Sequence, residues 1–274
     1  MIEQNYIDAR DQWREKLKQK NPANLELSRN CNVMMIVSGQ VGVKAAGMMM
    51  SLPIGHLTVC PVLDTDIALI EQLEGLDSQS LSLSVLPHVF DVYGAAPHVQ
   101  HHDFLVVATG RSFPQLLLDI NALAVRLEMP WTQVNNFAHK ITLGPTIIPG
   151  VTACYQCLTD RLASHTKQHD SIEAKQHFLN NNRGFEFKGN LPSIQEMTVS
   201  YLYEEVTRFI FGQNPPIAMG REVNLDTLYM AEDREFVPPM EWCRTCHFGS
   251  QATGQAFDAF TRRHSAPAAQ RASK

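Results

Sequence analysis

The sequence predicts an α/β fold with a mainly parallel sheet, and three observations lead to this class. Short apolar runs of strand length alternate with segments whose apolar residues recur at helical spacing. A glycine turn, "SGQVG" at 38–42, joins the first apolar run to the first such helix. Two Cys-x-x-Cys pairs, "CYQC" at 154–157 and "CRTC" at 243–246, bracket the C-terminal part of the chain. With 274 residues, 44% of them hydrophobic, the chain is long enough to form a sizeable core.

In the first half, turn and cap residues separate the predicted elements. A helix over 5–18 precedes the first strand, and Gly39 and Gly42 end that strand. Asp64 can cap the helix after the second strand, and Pro114 opens the helix after the third. The histidines between 97 and 103 follow a proline in a polar context, which indicates a solvated loop. Five strands are predicted here, at 33–37, 57–63, 104–108, 130–134 and 140–144.

The composition changes after the first cysteine pair. Residues 159–190 are polar and indicate a crossing segment with some helix. Residues 191–212 form an amphipathic pattern that predicts a long helix ended by Gly212. Two short strands are expected near 222–230 and 234–237, and the tail from Ser250, rich in Ala, Ser, Gln and Arg, is expected to be disordered.

Charge and hydropathy exclude several classes of function. The net charge of −5 and the pI near 6.1 do not favour a polyanionic partner, so nucleic acid is not expected. No stretch approaches 18 uninterrupted apolar residues, so no membrane span is expected. The N-terminus is polar and lacks an apolar signal core, which predicts a cytoplasmic protein.

The paired cysteines are the strongest chemical signal in the chain. Cys154, Cys157, Cys243 and Cys246 supply four soft thiolates, the set that forms a closed tetrahedral zinc site. Four protein ligands leave no open position, so this zinc is expected to be structural and to tie the C-terminal region to the sheet. The alternative is that the four cysteines are reduced, or paired as disulfides.

The glycine turn is a weaker signal. A strand, a glycine turn and a helix can cradle a nucleotide phosphate, but here only Gly39 and Gly42 of a full glycine pattern are present. A dinucleotide site usually also has an acidic residue at the end of the second strand, and "TVCPVL" has none before Asp64. The alternative is a tight turn that binds no ligand.

The order of these features resembles the ThiF/MoeB/HesA superfamily of ATP-dependent, ubiquitin-activating-like enzymes. The resemblance is carried by "FLVVATGRS", "GPTIIPGVTACYQCLTDRL", the helix "LPSIQE…VTRFIFG" and the closing "WCRTC", within residues 30–248. It is closest to the ThiF-like proteins of thiazole/oxazole-modified microcin (TOMM) bacteriocin clusters. The resemblance implies a Rossmann-like fold, a zinc ion bound by the four paired cysteines, and a homodimer.

The chain departs from the active members of that superfamily in its nucleotide-binding residues. Val37 and Gln40 stand where glycines are expected, and no arginine lies between His56 and Arg111. Thr109 follows the third predicted strand where an aspartate for magnesium is expected. Without these groups the charge of a triphosphate is poorly offset. We therefore expect neither ATP nor magnesium as cofactor and assign no catalytic residue.

Gly39, Gly42 and Lys44 remain as the residues of a degenerate nucleotide turn. The resemblance then implies a component of ribosomal-peptide maturation that binds the leader of a precursor and presents it to a YcaO-type cyclodehydratase. About 30 residues precede the first strand, too few for a winged-helix recognition module, so a leader would dock elsewhere, for instance on an exposed sheet edge. Two alternatives are an active adenylating enzyme on a peptide or sulfur-carrier carboxylate, and a purely structural zinc-containing subunit.

The predicted organisation has three segments. Residues 1–30 form an N-terminal helical extension, and 249–274 form a disordered tail. Between them, 31–248 form the ThiF-like domain, with a Rossmann-like part at 31–150 and a crossover and zinc-anchored part at 151–248.

Overall fold

The computed structural model describes residues 2–20, 31–74, 82–87, 90–165, 169–185, 191–212 and 214–247. The predicted C-terminal tail lies outside these residues, and so do residues 21–30, the last third of the predicted N-terminal extension. No helix in the described part of the chain has both the length and the apolar character that a membrane span requires.

The core element is an eight-stranded sheet with the order β3-β2-β1-β4-β5-β6-β7-β8. The five strands from β3 to β5 are parallel, and β6, β7 and β8 continue the sheet in antiparallel register. This confirms the predicted Rossmann-like, mainly parallel sheet flanked by helices. The strands are β1 Asn32–Ser38, β2 His56–Pro61, β3 Ser82–Val85, β4 Phe104–Thr109, β5 Trp131–Phe137, β6 Lys140–Leu143, β7 Arg221–Asp226 and β8 Ala231–Phe236.

Helices cover both faces of the parallel half of the sheet, which explains why its central strands are apolar along their whole length. All six side chains of β4 are buried, and so are six of the seven of β1. One core cluster lies between the sheet and α1, α2, α3 and α8, and the other lies between the sheet and α4 and α5. The helices are α1 Ile2–Lys20, α2 Gly39–Met49, α3 Asp64–Glu74, α4 Val92–Val99, α5 Pro114–Arg126, α6 Tyr155–His165, α7 His169–Asn181 and α8 Pro192–Phe211.

Gly42 lets α2 lie close against the sheet. A Cβ atom built on Gly42 would lie 2.8 Å from the carbonyl oxygen of Ala108 and 2.8 Å from Cβ of Val37. Only a residue without a side chain fits between the helix and the two strands β1 and β4. Gly42 therefore has a packing role in addition to any role in binding a ligand.

The N-terminal helix α1 packs on the same core. The ring of Trp13 lies 4.7 Å from that of Phe209 and 6.2 Å from that of Phe104, centroid to centroid. Tyr6 is buried against Gly220, whose missing Cβ would otherwise collide with the tyrosine ring. These contacts join α1 to α8, β4 and the turn that leads into β7.

Pro97 and His98 lie in a helix, so the prediction of a loop is wrong for these two residues, whereas His101 and His102 lie in the turn that follows the helix. Pro97 lies within the two-turn helix α4, where its missing N–H removes a single backbone hydrogen bond. His102 is buried: Thr58 Oγ1 lies 2.7 Å from its Nε2, and the carbonyl oxygen of His98 lies 2.8 Å from its Nδ1. Burial lowers the pKa of His102, so it is a neutral structural histidine rather than a solvated one.

Candidate functional site

Four cysteines from two distant segments of the chain meet beside helix α6. Cys154 directly precedes α6 and Cys157 lies in its first turn, whereas Cys243 and Cys246 lie in the turns that follow β8. All four side chains are buried. The two-residue gap within each pair turns both of its sulfur atoms toward the same point, as the sequence predicts.

The sulfur positions fit a metal ion. The Sγ atom of Cys154 lies 3.9 Å from that of Cys157 and 3.5 Å from that of Cys243, and the Sγ atoms of Cys157 and Cys246 are 3.7 Å apart. All four lie within 4.8 Å of one another. In a tetrahedral zinc site with Zn–S bonds of about 2.3 Å, neighbouring sulfurs are about 3.8 Å apart. The four cysteines can therefore hold zinc as a closed set of ligands.

The disulfide alternative does not describe this cluster. All six cysteines of the chain are free, and the closest of these sulfur contacts, 3.5 Å, far exceeds the roughly 2.05 Å of a disulfide. Hydrogen bonds among the four sulfurs lower the pKa of Cys157 and Cys243 and raise the pKa of Cys154 and Cys246, so the four thiols titrate as one group. The backbone N–H of Met240 also donates to the Sγ of Cys157 at 3.5 Å, an interaction common around ligating thiolates.

This centre joins α6 to the segment that follows β8. The cysteines pack with Ala153, Leu158 and Val237 in a small cluster of their own. Nearby, Arg161 donates from Nε to the carbonyl oxygen of Pro238 at 2.9 Å and from Nη2 to that of Pro239 at 3.1 Å. Four cysteine ligands would leave a metal ion no open position for a substrate, so a metal held here would join the two segments without taking part in a reaction.

A second candidate site is the glycine turn between β1 and α2. It lies at the carboxyl end of the parallel strand β1. Gly39 begins α2 with φ +66°, a backbone conformation that favours glycine. Its N–H points out of the helix N-terminus, where an anion would be stabilised. That N–H donates to Oδ1 of Asp66 at 3.0 Å, and the N–H of Leu63 donates to the other carboxylate oxygen at 3.1 Å.

Arg111 also contacts the Asp66 carboxylate. Its Nη1 lies 3.6 Å from Oδ1 of Asp66 and 3.4 Å from Oγ of Ser38. The Asp66 side chain is 1% exposed and that of Arg111 is 12% exposed, so the pair lies largely away from water. The N-terminus of α2 thus binds a carboxylate of the same chain, and the Arg111 guanidinium is paired with that carboxylate.

Lys44 points toward α8. Its Nζ lies 2.7 Å from Oε1 of Glu196 and 3.1 Å from Oε1 of Gln195. Of the three residues predicted for a nucleotide turn, Gly39 and Gly42 therefore border the N-terminus of α2, whereas Lys44 links α2 to α8. Sequence reasoning missed Asp66; the available signal was a second acidic residue in the first turn of the helix after β2.

Comparison with known proteins shows the fold. No family model and no curated protein matches the chain. The structure of Escherichia coli MccB with ATP aligns with a TM-score of 0.62 and 15% identity over 85% of this chain and 69% of MccB. MccB with AMPCPP and MccA aligns with a TM-score of 0.62 and 16% identity over 80% and 67% of the two chains. PaaA aligns with a TM-score of 0.59 and 15% identity over 82% and 75%. The chain therefore shares the fold of MccB and PaaA, in agreement with the fold that the resemblance implies.

Proposed function

We propose that this chain is a cytoplasmic ThiF-like component of ribosomal-peptide maturation that binds a precursor leader and presents it to a YcaO-type cyclodehydratase. In this proposal its own nucleotide site is degenerate, and the ATP chemistry takes place on the other enzyme. The homodimer implied by the resemblance is part of the proposal. The observation that carries it is the contact between the Asp66 carboxylate and the N–H of Gly39.

The contact between Asp66 and Gly39 disfavours the binding of a triphosphate for two reasons. A phosphate group at the N-terminus of α2 would have to displace the carboxylate or lie beside it, and like charges at such short range repel strongly. Arg111, which contacts the start of the turn, is paired with Asp66, and Lys44 is paired with Glu196. These two positive charges are thus used within the chain and would not be free to offset an incoming triphosphate.

The peptide part of the proposal is supported by the neighbours in fold. A solved structure of MccB contains the peptide MccA, and another is described as that of a microcin C7 biosynthetic enzyme. A component that binds only the leader increases the effective concentration of the precursor at a second enzyme. Such a role requires a peptide surface and a rigid frame, and it requires no nucleotide.

The main alternative is an active adenylating enzyme, and the similarity to MccB bound to ATP favours it. The two functions differ in one measurable property, because adenylation of a carboxylate by ATP releases pyrophosphate. A third possibility, a structural zinc-containing subunit, would bind neither nucleotide nor peptide.

We expect the purified protein to bind ATP and magnesium too weakly for calorimetry and to catalyse no ATP–pyrophosphate exchange with a precursor peptide. MccB, which binds ATP in its crystal structure, serves as the positive control in the calorimeter. A dissociation constant on the order of micromolar, about −8 kcal/mol, or any exchange that depends on the peptide, would favour the adenylating enzyme instead.

A further inference from the structure

Strand β8 forms one edge of the sheet, and the whole strand is exposed. Each of its six residues, Ala231–Phe236, is exposed to solvent. No strand in the described part of the chain lies beyond β8, so one side of its backbone has no strand to pair with. Such an edge can accept an extended segment of another chain as an additional strand.

The hydrogen bonds with β7 define which backbone groups of β8 point outward. The N–H of Val237 donates to the carbonyl oxygen of Gly220 at 3.0 Å, in the same register that pairs Glu222 with Glu235. Because hydrogen-bonded and non-hydrogen-bonded pairs alternate along an antiparallel ladder, the N–H and C=O groups of Glu232, Arg234 and Phe236 point away from β7. These three residues present the groups that an added strand would pair with.

The side chains of β8 carry a net negative charge. Glu232, Asp233 and Glu235 are acidic, and Arg234 is the one basic residue of the strand, so three negative charges and one positive charge leave a net charge of −2. Arg234 forms an ion pair with Glu232. Glu235 also lies directly opposite Glu222 on β7, a like-charge pair that a cation would stabilise.

Apolar groups lie at both ends of this charged strand. The hairpin before β8 exposes Leu228, Tyr229 and Met230, at 66%, 80% and 64% of their surface. At the other end, a groove of about 490 Å³ is lined by side chains of α6, of the end of β8 and of the residues that follow it: Leu158, Arg161, Leu162, Glu235, Phe236, Val237 and Pro238. Six strand residues span about 20 Å between the two apolar ends.

We propose that this β8 edge is the docking surface for an extended basic peptide segment that adds to the sheet as a ninth strand. Lysine or arginine side chains of the segment would lie over the acidic side chains, and its apolar end residues would contact the hairpin and the groove. A second copy of this chain is a poorer occupant, because its β8 would bring the same net negative charge to the contact. The inference rests on the proposed function only where it takes this segment to be part of a precursor leader.

The test uses a fluorescent peptide with a leucine at each end and alternating lysine and valine between. We expect this peptide to bind the full chain at low salt at least tenfold more tightly than the same peptide with glutamate in place of lysine. Binding should weaken as salt screens the charges. A version with N-methyl groups on alternate backbone nitrogens should lose binding, because it cannot pair with the edge. Equal binding of the basic and acidic peptides, or full binding of the methylated one, would overturn the proposal.

Substitutions on β8 test whether the peptide binds at this edge of the sheet. Arg234→Pro removes one outward N–H without removing a hydrogen bond to β7, and it makes the edge more acidic. We expect it to weaken basic-peptide binding at least tenfold, whereas Arg234→Ala keeps the N–H and should bind at least as well as the natural chain. Asp233→Lys combined with Glu235→Lys should also lose binding, and Glu71→Lys, an exposed change on α3, should not.

The outcomes separate this inference from the proposed function. Binding that is lost in Arg234→Pro and in the charge reversal, and kept in Arg234→Ala, supports the docking surface even if no cyclodehydratase is stimulated. Binding that survives Arg234→Pro and the charge reversal overturns the docking surface, even if stimulation is observed. A self-association of the chain that Arg234→Pro abolishes would identify a second copy as the occupant and would also overturn the proposal.

Discussion

Replacing Cys154 with serine is expected to remove the bound zinc and to lower the free energy of unfolding by about 5 kcal/mol. Structural zinc contributes about 10–16 kcal/mol of binding free energy in small metal-dependent domains, and here the sheet has a large apolar core that does not depend on the metal. The loss should be concentrated in the contact between α6 and the segment after β8, because the four cysteines join these two segments. Metal content by elemental analysis and denaturant unfolding of the two proteins measure the effect.

Cys60→Ala is the matched control for this experiment. Cys60 is also a buried cysteine, but it lies on β2, and burial raises the pKa of its thiol to about 12, so it stays protonated. The control should keep one zinc per chain and lose about 1 kcal/mol, the cost of a small cavity. A natural protein that is folded without metal, or a Cys154→Ser variant with unchanged metal content, would contradict a structural zinc centre.

Replacing Asp66 with alanine is expected to cost about 3 kcal/mol of unfolding free energy and to create a site for inorganic pyrophosphate. The change leaves the Arg111 guanidinium largely buried without its carboxylate, and it leaves the N–H of Gly39 without an acceptor. Pyrophosphate at ten times its dissociation constant should then recover about 1.4 kcal/mol. Thermal unfolding with and without pyrophosphate measures both effects.

Asp64→Ala is the matched control, because Asp64 lies in the same helical turn and is exposed. It should cost at most about 1 kcal/mol and should gain no response to pyrophosphate. If pyrophosphate stabilised the natural protein as much as the Asp66 variant, the carboxylate would not be blocking the helix N-terminus. The nucleotide site could then be open, and the adenylating enzyme would become the better account.

The sequence predicted best the elements that are buried, because a buried strand or helix face requires apolar residues in a recognisable pattern. The buried strand β4 was predicted at 104–108 and spans Phe104–Thr109, and Gly212 ends α8 with φ +71° as expected. The cluster of four cysteines was predictable because ligand chemistry constrains both the residue type and the two-residue gap. Strand β8 was located less accurately, since its exposed, charged sequence carries no apolar alternation.

The features that sequence reasoning missed depend on contacts between distant residues. Asp66 bonds to Gly39, 27 residues earlier, and Lys44 pairs with Glu196 on α8, 152 residues later. Local spacing shows no sign of either contact. The short helix α4 was missed for a different reason: a proline in a polar segment predicts a loop, but tertiary packing of Val99 and Phe90 keeps this segment ordered.

The most direct measurement is the rate of dehydration of a precursor by a YcaO-type enzyme from the same biosynthetic system, followed as loss of water by mass spectrometry. If this chain presents the leader, it should stimulate the reaction of the full precursor at least tenfold and have little effect on a precursor without its leader. The stimulation should persist in Lys44→Ala, because no phosphate contact by this chain is required. Equal rates in its absence, or equal stimulation of the leaderless precursor, would contradict the proposal and leave a structural subunit as the better interpretation.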